Sequence, residues 1–479
     1  LREGSKLKPI SRRDFVRISA VGAAVAAAPV SLKALHDESP AGKISVWTTA
    51  GEQRHAASGT LQWQPARGAS TQTITLDSQP LQEILGFGAA FTDAACYTLS
   101  RLEANSRSEL FHQLFDSSKM GLSVSRICVG ASDYTRNLYS YDDGSEPDPE
   151  LKRFSIEHDH AYILPILREA RTVNPNLWLL ASPWSPPGWM KANGSMLGGS
   201  MRKAWYAAYA KYLQRFLDAY SAEGVHVNSI TTQNEVDTDQ DGKMPACLWG
   251  QEYEIEFVRD HLGPQLASSG AKTDIWILDH NYNLWGRALC ELEDEKAREY
   301  IKGVAWHGYA GTPDAMTRVQ KAYPQISQFW TEGGPDFEKP GYATQWAKWG
   351  EQFTGVLRNY ARCIIAWNYA LDEQGNPNIG PFKCAGLVTV DSKTAAISYS
   401  GMYWAMLHFS NHIQRGARVV ESSGTPKDVS HVAVINPSGE HVLVLTNTAG
   451  EKRSVSIRSG DSTAEVVLPA DSVSTLAWS

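Results

Sequence analysis

The chain has 479 residues, of which 42% are hydrophobic and 20% are charged, and its formal net charge at pH 7 is -7. This length accommodates one large domain and a smaller one, and the composition is that of an ordinary globular protein. The negative charge argues against a nucleic-acid-binding protein, which usually presents a basic face. The 16 tryptophans and 19 tyrosines hint at a carbohydrate ligand, because aromatic faces stack on sugar rings.

The first 42 residues indicate an export signal. Arg12 and Arg13 precede an Ala-rich apolar run from Ile18 to Leu32, an order that resembles the twin-arginine signals of bacteria. The run is too short to span a bilayer comfortably, and a disordered basic tail is the alternative interpretation. We assign residues 1–42 to a signal peptide and linker, and we expect a periplasmic or extracellular protein with no transmembrane segment.

Both ends of the remaining chain show the alternation of β-strands. Apolar and polar residues alternate from Thr71 to Leu76 near the beginning and from His441 to Thr446 near the end, and Gly, Asn, Pro and Asp turns separate the later runs. The pattern predicts an antiparallel β-sandwich to which residues 43–80 and 401–479 both contribute.

Between these ends, apolar strand-like runs alternate with longer helical patterns. The strand candidates are Ile84–Asp93, Ser123–Gly130, Leu177–Pro183, Val227–Glu235, Thr273–Asn281, Val304–Tyr309, Gln328–Gly333 and Cys363–Tyr369. Eight βα units in series predict an α/β fold, a (β/α)8 TIM barrel over residues 81–400. An open doubly wound sheet is the alternative, but Gly86-Phe-Gly88 lacks the third glycine of a dinucleotide-binding loop.

Polar and aromatic residues end several of the predicted strands, at the edge where a barrel carries its active site. Glu235 and Glu332 end the fourth and seventh strands, on opposite sides of the barrel mouth, where two carboxylates can flank a sugar. Such a pair is the requirement for glycoside cleavage, although a lone strand-end Glu is more often a surface residue or a helix cap. Further polar ends are Thr92-Asp93, Ser182-Pro-Trp184, Trp306-His307-Gly-Tyr309 and Trp367-Asn368.

Five motifs occur in a specific order along the chain. They are Gly86-Phe-Gly-Ala-Ala-Phe-Thr-Asp93, Ala181-Ser-Pro-Trp-Ser-Pro-Pro-Gly-Trp-Met-Lys191, Gln233-Asn-Glu235, His307-Gly-Tyr309 and Thr331-Glu332-Gly-Gly. In this order they resemble family 30 of the glycoside hydrolases, and most nearly its glucosylceramidase branch. The likeness covers the chain from about residue 81 to the C-terminus, and it implies a TIM barrel with the sandwich as a side domain.

The resemblance implies a role for each carboxylate. Glu235 resembles the general acid/base, for which its pKa would have to be raised. Glu332 resembles the nucleophile that forms a glycosyl-enzyme, and the two carboxylates should then lie about 5–5.5 Å apart, the retaining geometry. Arg126, on the second strand, is expected to pair with a carboxylate such as Glu332 and to support it electrostatically.

The resemblance also implies a set of substrate-binding residues. Asn234 would hydrogen-bond the sugar 2-hydroxyl, and Asp93 and Trp184 would hold the side of the sugar that carries the 3-, 4- and 6-hydroxyls. Structural roles are the alternative for four of the set, with Trp184 packing the barrel top, Asp93 capping the following helix and Tyr309 and His307 serving as polar core residues. The further members are Trp367 in the sugar platform, His307 and Tyr309 in the wall, and Asn378 near the rim.

These observations predict a secreted retaining exo-β-glycosidase that acts on β-glucosides, similar to a glucosylceramidase. Asp93 motivates the exo assignment, because a carboxylate that grips the distal hydroxyls closes that end of the pocket. The alternatives are an endo-acting glycanase of the same family, on xylan or β-1,6-glucan, and a non-catalytic carbohydrate-binding protein. We expect a β-linked glycan or glycolipid as the partner, no nucleic acid and no cofactor, and we find no metal-ligand spacing.

Overall fold

The computed structural model describes residues 42–479 with the exception of residues 67, 69 and 70. The predicted twin-arginine signal therefore lies outside the described residues, and the export of this chain stays a prediction. The described chain begins with strands that join the C-terminal sandwich. They are β1 (Lys43–Ala50), β2 (Gln53–Gln62), β3 (Gln64–Pro65) and β4 (Thr73–Glu83).

Eight strands with almost entirely buried side chains follow and pair in parallel to form a closed barrel. Near-continuous apolar runs are typical of such strands, because both faces of a parallel sheet are covered. The barrel closes where the last strand pairs with the first, with Ile365 opposite Gly88. The strands are β5 (Gly86–Phe91), β6 (Val124–Val129), β7 (Trp178–Pro183), β8 (Ser229–Thr231), β9 (Asp274–Asn281), β10 (Ile301–His307), β11 (Ser327–Glu332) and β12 (Ala361–Ala366).

Helices surround the barrel and bury one face each. In α4, Tyr209, Leu213, Phe216 and Tyr220 are buried at three- and four-residue spacing, as one apolar face requires. Among the described residues, no helix is long and apolar enough to cross a membrane. The helices are α1 (Asp93–Ser100), α2 (Ala104–Phe115), α3 (Ile163–Val173), α4 (Tyr206–Ala222), α5 (Gln251–Phe257), α6 (Gly263–Ser269), α7 (Trp285–Glu293), α8 (Glu295–Tyr300), α9 (Asp314–Ala322) and α10 (Trp346–Arg358).

The chain then returns to the sandwich. A small sheet of β13 (Ala370–Leu371), β14 (Val388–Val390) and β15 (Ile397–Tyr399) precedes α11 (Gly401–Ser410). The sandwich strands follow as β16 (Arg418–Ser423), β17 (Val429–Ile435), β18 (His441–Asn447), β19 (Arg453–Ser459), β20 (Ser462–Leu468) and β21 (Ser472–Trp478).

Both chain ends contribute to one sheet of ten strands, in the order β2-β1-β21-β18-β17-β16-β4-β19-β20-β3. The strand β4 lies between two strands of opposite direction, so it pairs antiparallel with β16 and parallel with β19. The predicted fold class, a TIM barrel with a β-sandwich built from both ends of the chain, is confirmed.

The bottom of the barrel is filled by side chains. Trp276 and Phe329 stack there with ring centroids 3.7 Å apart, among other buried apolar residues of the barrel interior. At Gly88, a Cβ atom would lie 1.5 Å from the carbonyl oxygen of Val124, so only glycine permits this approach of β5 to β6. Because this end is packed, a ligand can reach the barrel axis only from the C-terminal ends of the strands.

Candidate active site

A cavity of about 460 Å³ opens at the C-terminal ends of the barrel strands. Glu332 is the last residue of β11, and Glu235 follows β8 by four positions in the chain. Both side chains line this cavity and are largely shielded from water, with 8% of the Glu332 side chain and 13% of the Glu235 side chain exposed. The structure therefore brings the two predicted carboxylates into one pocket.

One imidazole lies between the two carboxylates. Nδ1 of His307 lies 3.3 Å from Oε1 of Glu235, and its Nε2 lies 3.7 Å from Oε2 of Glu332. The ring is completely buried at the end of β10. Because the same ring contacts both carboxylates, a change of charge on one of them is transmitted to the other.

Arg126 links the nucleophile candidate to the barrel interior. Its buried guanidinium donates one hydrogen bond to Oε2 of Glu332 and another, of 2.7 Å, to Oδ1 of Asn234. A third hydrogen bond, of 2.6 Å, goes to Oδ2 of Asp279. The structure thus brings Arg126 and Glu332 together as the sequence predicts, and it fixes Asn234 with the amide nitrogen available to a ligand.

Asp279 is a buried member of the site that the sequence interpretation missed. Ser182 and Thr231 each donate a hydrogen bond of 2.8 Å to its Oδ2, and Thr331 donates one of 2.8 Å to its Oδ1. Burial alone would raise the pKa of Asp279, but Arg126 and these hydrogen bonds hold it well below its usual value. The signal was the polar run Asp279-His-Asn281 that ends the fifth strand.

The carboxylates set the charge of His307. Burial opposes the charged imidazole, but Glu332, Asp279 and Glu235 outweigh it and raise the pKa of His307 to about 9. Burial also disfavours the charged form of Glu235, yet the neighbouring His307 and His280 lower its pKa. Burial raises the pKa of Glu332 against the opposing effects of His307 and Arg126. Near neutral pH, the proton of the Glu235–His307 pair therefore resides on the imidazole.

Tyr309 gives the nucleophile candidate a neutral hydrogen-bond donor. Its hydroxyl donates a hydrogen bond of 3.1 Å to Oε1 of Glu332, the oxygen that Arg126 leaves free. The loop that carries Tyr309 is held by Oδ1 of Asn281, which accepts hydrogen bonds of 3.0 and 3.1 Å from the backbone nitrogens of Tyr309 and Ala310.

Two tryptophans form an aromatic wall of the cavity. Trp184 and Trp367 stack with ring centroids 5.1 Å apart, and the guanidinium of Arg126 lies 4.6 Å from the Trp184 centroid. Nε1 of Trp184 is buried and has no hydrogen-bond partner in the described structure. An unpaired buried donor that lines a pocket marks a position where a ligand hydroxyl can bind.

Strained backbone occurs at several strand ends of the site. Glu235, Asp279 and Asn368 have φ angles of 53°, 42° and 61°, in the left-handed region that residues other than glycine rarely adopt. Such strain is retained where the surrounding structure over-determines it, and it clusters at functional sites. It turns Glu235 out of the line of β8 and into the cavity.

Three predicted ligand residues lie outside the cavity lining, and one of them is His307, whose buried ring contacts the carboxylates and does not line the wall. Asp93 accepts hydrogen bonds from the Arg136 backbone nitrogen at 2.8 Å and from the Tyr162 hydroxyl at 2.6 Å, so both of its oxygens are engaged. Asn378 donates to the carbonyl of Phe382 and accepts from Gly380, which stabilises its own loop. The expectation that Asp93 and Asn378 contact the sugar is not supported by their positions.

Asp133 supplies a carboxyl group that the sequence interpretation missed. It lies in the loop after β6 and lines the cavity, it is 3% exposed, and its Oδ1 has no hydrogen-bond partner in the described structure. Burial, together with the negative charges of Glu332 and Glu235, raises its pKa well above the usual value. No strand periodicity distinguishes Asp133 from the acidic residues of other loops, so the sequence alone offered no signal for it.

The structure also gathers two histidines and a carboxylate. One ligand-type atom from each of Glu235, His280 and His307 lies within 4.8 Å of the other two. The sequence shows no metal-ligand spacing, because these residues come from three different strand ends.

Comparison with known proteins gives consistent matches. The model of the glycosyl hydrolase family 30 TIM-barrel domain matches residues 84–413, and that of the family 30 beta sandwich domain matches residues 416–476. An endo-1,6-beta-D-glucanase of Neurospora crassa is 31% identical over 421 residues, with 82% of this chain and 86% of the relative covered. Putative glucosylceramidase 4 of Caenorhabditis elegans is 30% identical, with 85% and 82% covered. A solved endo-beta1,6-glucanase structure has a TM-score of 0.83 and 27% identity, with 92% and 100% covered.

Proposed function

This chain belongs to family 30 of the glycosyl hydrolases, as its motifs predict, and we propose that it cleaves β-1,6-linked glucan internally with retention of anomeric configuration. The observation that carries the proposal is the pair of shielded carboxylates, Glu235 and Glu332, on either side of one imidazole at the barrel mouth. The presence of both carboxylates argues against a barrel that only binds carbohydrate.

The proposed reaction has two displacement steps. In the first, Glu332 attacks the anomeric carbon, the glycosidic bond breaks, and Glu235 transfers a proton to the leaving oxygen. In the second, Glu235 takes a proton from water, and the resulting hydroxide attacks the same carbon and releases Glu332. Two inversions at one carbon give net retention. Asn234, with its oxygen held by Arg126, presents its amide nitrogen to the sugar 2-hydroxyl.

The proton for the first step is shared by Glu235 and His307. This proton resides on His307, whose Nδ1 lies 3.3 Å from Oε1 of Glu235. Transfer from the imidazolium to Glu235 gives the acid that the first step needs. Once Glu332 has bonded to the sugar, it no longer bears a negative charge. Glu235 has given its proton to the leaving oxygen, so it is a carboxylate and can act as the base in the second step.

Two observations favour an endo-glucanase over the predicted exo-glucosidase. The exo assignment depended on Asp93, which the structure places outside the cavity lining with both oxygens engaged. The relatives named as endo-1,6-beta-D-glucanases are 31%, 30% and 30% identical to this chain. We therefore replace the predicted exo-glucosidase by an endo-glucanase and propose a linear β-1,6-glucan as the substrate.

The test uses linear β-1,6-glucan, xylan, glucosylceramide and aryl β-glucosides as parallel substrates. We expect oligosaccharides of mixed length from the β-1,6-glucan before glucose accumulates, and proton NMR should show the β-anomer first. Release of glucose alone, from chain ends or glucosylceramide, would contradict the endo proposal. Initial formation of the α-anomer would contradict double displacement. On an aryl β-glucoside whose leaving group departs without protonation, Glu235→Ala should regain turnover with added azide, which replaces water in the second step and needs no base.

An exo-acting β-glucosidase is the second candidate, because putative glucosylceramidases are also related to this chain. In either case we propose that Asp133 and Trp184 bind sugar hydroxyls, since each has an unpaired polar atom at the cavity. Asp133→Asn should lower kcat/KM by up to about tenfold, because a hydrogen bond between uncharged groups contributes about 0.5–1.5 kcal/mol. Asp93→Asn is the matched control. It should lower the free energy of unfolding and leave kcat/KM nearly unchanged. A loss of kcat/KM in Asp93→Asn but not in Asp133→Asn would support the sequence prediction that Asp93 binds the sugar.

We also propose that the protein is exported in a folded state by the twin-arginine route. The support is the order of basic, apolar and small residues before position 42. Replacement of Arg12 and Arg13 by lysine should leave the full-length protein inside a twin-arginine-competent bacterial host, and undiminished export would contradict the proposal.

A further inference from the structure

The acid/base candidate Glu235 is the centre of a compact set of metal-ligand side chains. Its Oε1 lies 3.3 Å from Nδ1 of His307 and 3.7 Å from Nδ1 of His280. Zinc bound tetrahedrally to nitrogen and oxygen at about 2.0–2.1 Å holds its ligand atoms about 3.4 Å apart. Two of the three separations between ligand atoms in this cluster are therefore already close to those of a zinc site.

His280 is the member of the set that has no role in the proposed hydrolysis. Its residue is 8% exposed, and its Nδ1 is buried without a hydrogen-bond partner in the described structure. Most buried polar atoms have such a partner, so the described residues leave this nitrogen, 3.7 Å from the carboxylate, free to bind a ligand. A cation meets the demands of both groups, because each offers a lone pair.

His307 is oriented as a metal ligand, and Zn²⁺ would displace the proton from its Nδ1 on binding. Its Nε2 lies 3.1 Å from Oδ1 of Asp279, and its Nδ1 faces Glu235. A carboxylate on the far nitrogen fixes the ring and is the usual support of a metal-bound histidine. Asp279 is itself held by Ser182, Thr231 and Arg126, so the ring has little freedom to turn away.

We propose that Glu235, His280 and His307 bind a borderline divalent cation, with Zn²⁺ as the expected ion, and that the bound ion inhibits the enzyme. Two imidazoles and one carboxylate are a known zinc donor set, and because Glu235 and His280 line the cavity, water could take the fourth position. The bound ion would coordinate the Glu235 carboxylate, which could then no longer protonate the leaving oxygen. Mg²⁺ and Ca²⁺ should not bind there, because they require more oxygen ligands. The inhibition depends on the proposed role of Glu235, but the binding does not.

The experiment is calorimetric titration of the metal-free full chain with Zn²⁺, with Mg²⁺ as the control ion. We expect one Zn²⁺ per chain, and His280→Gln should weaken binding by more than about tenfold, because it removes a ligand. Glu235→Gln should weaken it as well, which provides a second variant if the first fails to fold. The exposed His226 is the matched control, and His226→Gln should bind Zn²⁺ as the wild type does.

Activity is measured in parallel on the substrate identified above. Zn²⁺ should lower kcat/KM of the wild type at the concentration where it binds, and chelation should restore it. Binding of one Zn²⁺ that His280→Gln and Glu235→Gln leave unchanged would overturn the assignment, as would the absence of stoichiometric binding. Zn²⁺ binding in a protein without hydrolytic activity would refute the proposed function but leave the metal site intact, so the two failures are distinguishable.

Discussion

Buried histidines in two regions of this chain differ in charge, and the contrast is between His307 and a group of three elsewhere. At the barrel mouth, His307 has a pKa of about 9, because the surrounding carboxylates outweigh burial. Where β1 and β2 meet α11, three other imidazoles lie together, and burial lowers the pKa of each. We call this group the histidine cluster; its members are His55, His408 and His412.

The histidine cluster is held by neutral contacts. Nε2 of His55 lies 2.9 Å from Nε2 of His412, and the two ring nitrogens of His408 lie 2.9 Å from the Thr475 hydroxyl and 2.8 Å from the Thr49 hydroxyl. Burial lowers the pKa of His55 to about 4 and that of His412 to about 3. The comparison shows that burial makes an imidazole neutral unless fixed carboxylates reverse the effect.

The largest effect on the active site, and on the charge of His307, is expected from Glu332→Gln. It removes the nucleophile and one of the charges that keep His307 protonated. We expect kcat on β-1,6-glucan to fall by at least about 10⁴-fold, as for other essential nucleophiles, with the protein still folded. The pKa of His307, followed by NMR, should fall as well. Residual activity within tenfold of wild type would exclude Glu332 as the nucleophile.

Removal of the buried cation is the next largest test. Arg126→Met leaves Glu332 and Asp279 without the guanidinium that both contact. Breaking a buried ion pair in this way typically costs about 3–5 kcal/mol, so the free energy of unfolding should fall by that amount. The matched control is Arg168→Met, at a half-exposed ion pair with Glu223, which should cost at most about 1 kcal/mol. Equal losses for the two variants would show that burial does not distinguish them.

Much of this site was predictable because strand ends are visible in a sequence. Glu332 ends β11 and Asn234-Glu235 follows β8 within four residues, and in a closed barrel all such strand ends meet at one mouth. The contact of Arg126 with Glu332 follows from the same rule, because alternate residues of β6 point into the barrel. These predictions needed only strand periodicity and the direction of the strands.

The remaining part depends on rotations that periodicity does not determine. Thr92 is the N-cap of α1, so Asp93 enters the first helical turn and its carboxylate points to Arg136 and Tyr162. Asp133 lies in an irregular loop, where no repeating pattern indicates which side chain faces the cavity. The interchange of these two aspartates is the main difference between the predicted and the observed pocket.

The histidine cluster makes stability depend on pH with a definite sign. The folded-state pKa values of His55 and His412 lie below the unfolded value of about 6.5, so their contribution to stability is full above pH 6.5 and is lost as the pH falls toward 4. Each neutral histidine should add a slope of about 1.4 kcal/mol per pH unit in that range. Denaturant unfolding at pH 7, 6, 5 and 4.5 should give a shallower loss for His412→Gln than for the wild type. Parallel curves would exclude the cluster as the source.

The smallest expected effect is that of Tyr309, an uncharged hydrogen-bond donor to Glu332 beside the charged Arg126. Tyr309 donates to the oxygen of Glu332 that Arg126 does not contact, so Tyr309→Phe removes one hydrogen bond but no charge. A hydrogen bond to a charged group is worth about 1.5–3 kcal/mol, which predicts a fall in kcat/KM of about 10- to 100-fold. Tyr253→Phe is a control of similar exposure, 45% against 47%, and should have no effect. If Tyr309→Phe had no effect either, Arg126 and His307 would suffice to hold the nucleophile, and charge alone would determine its position.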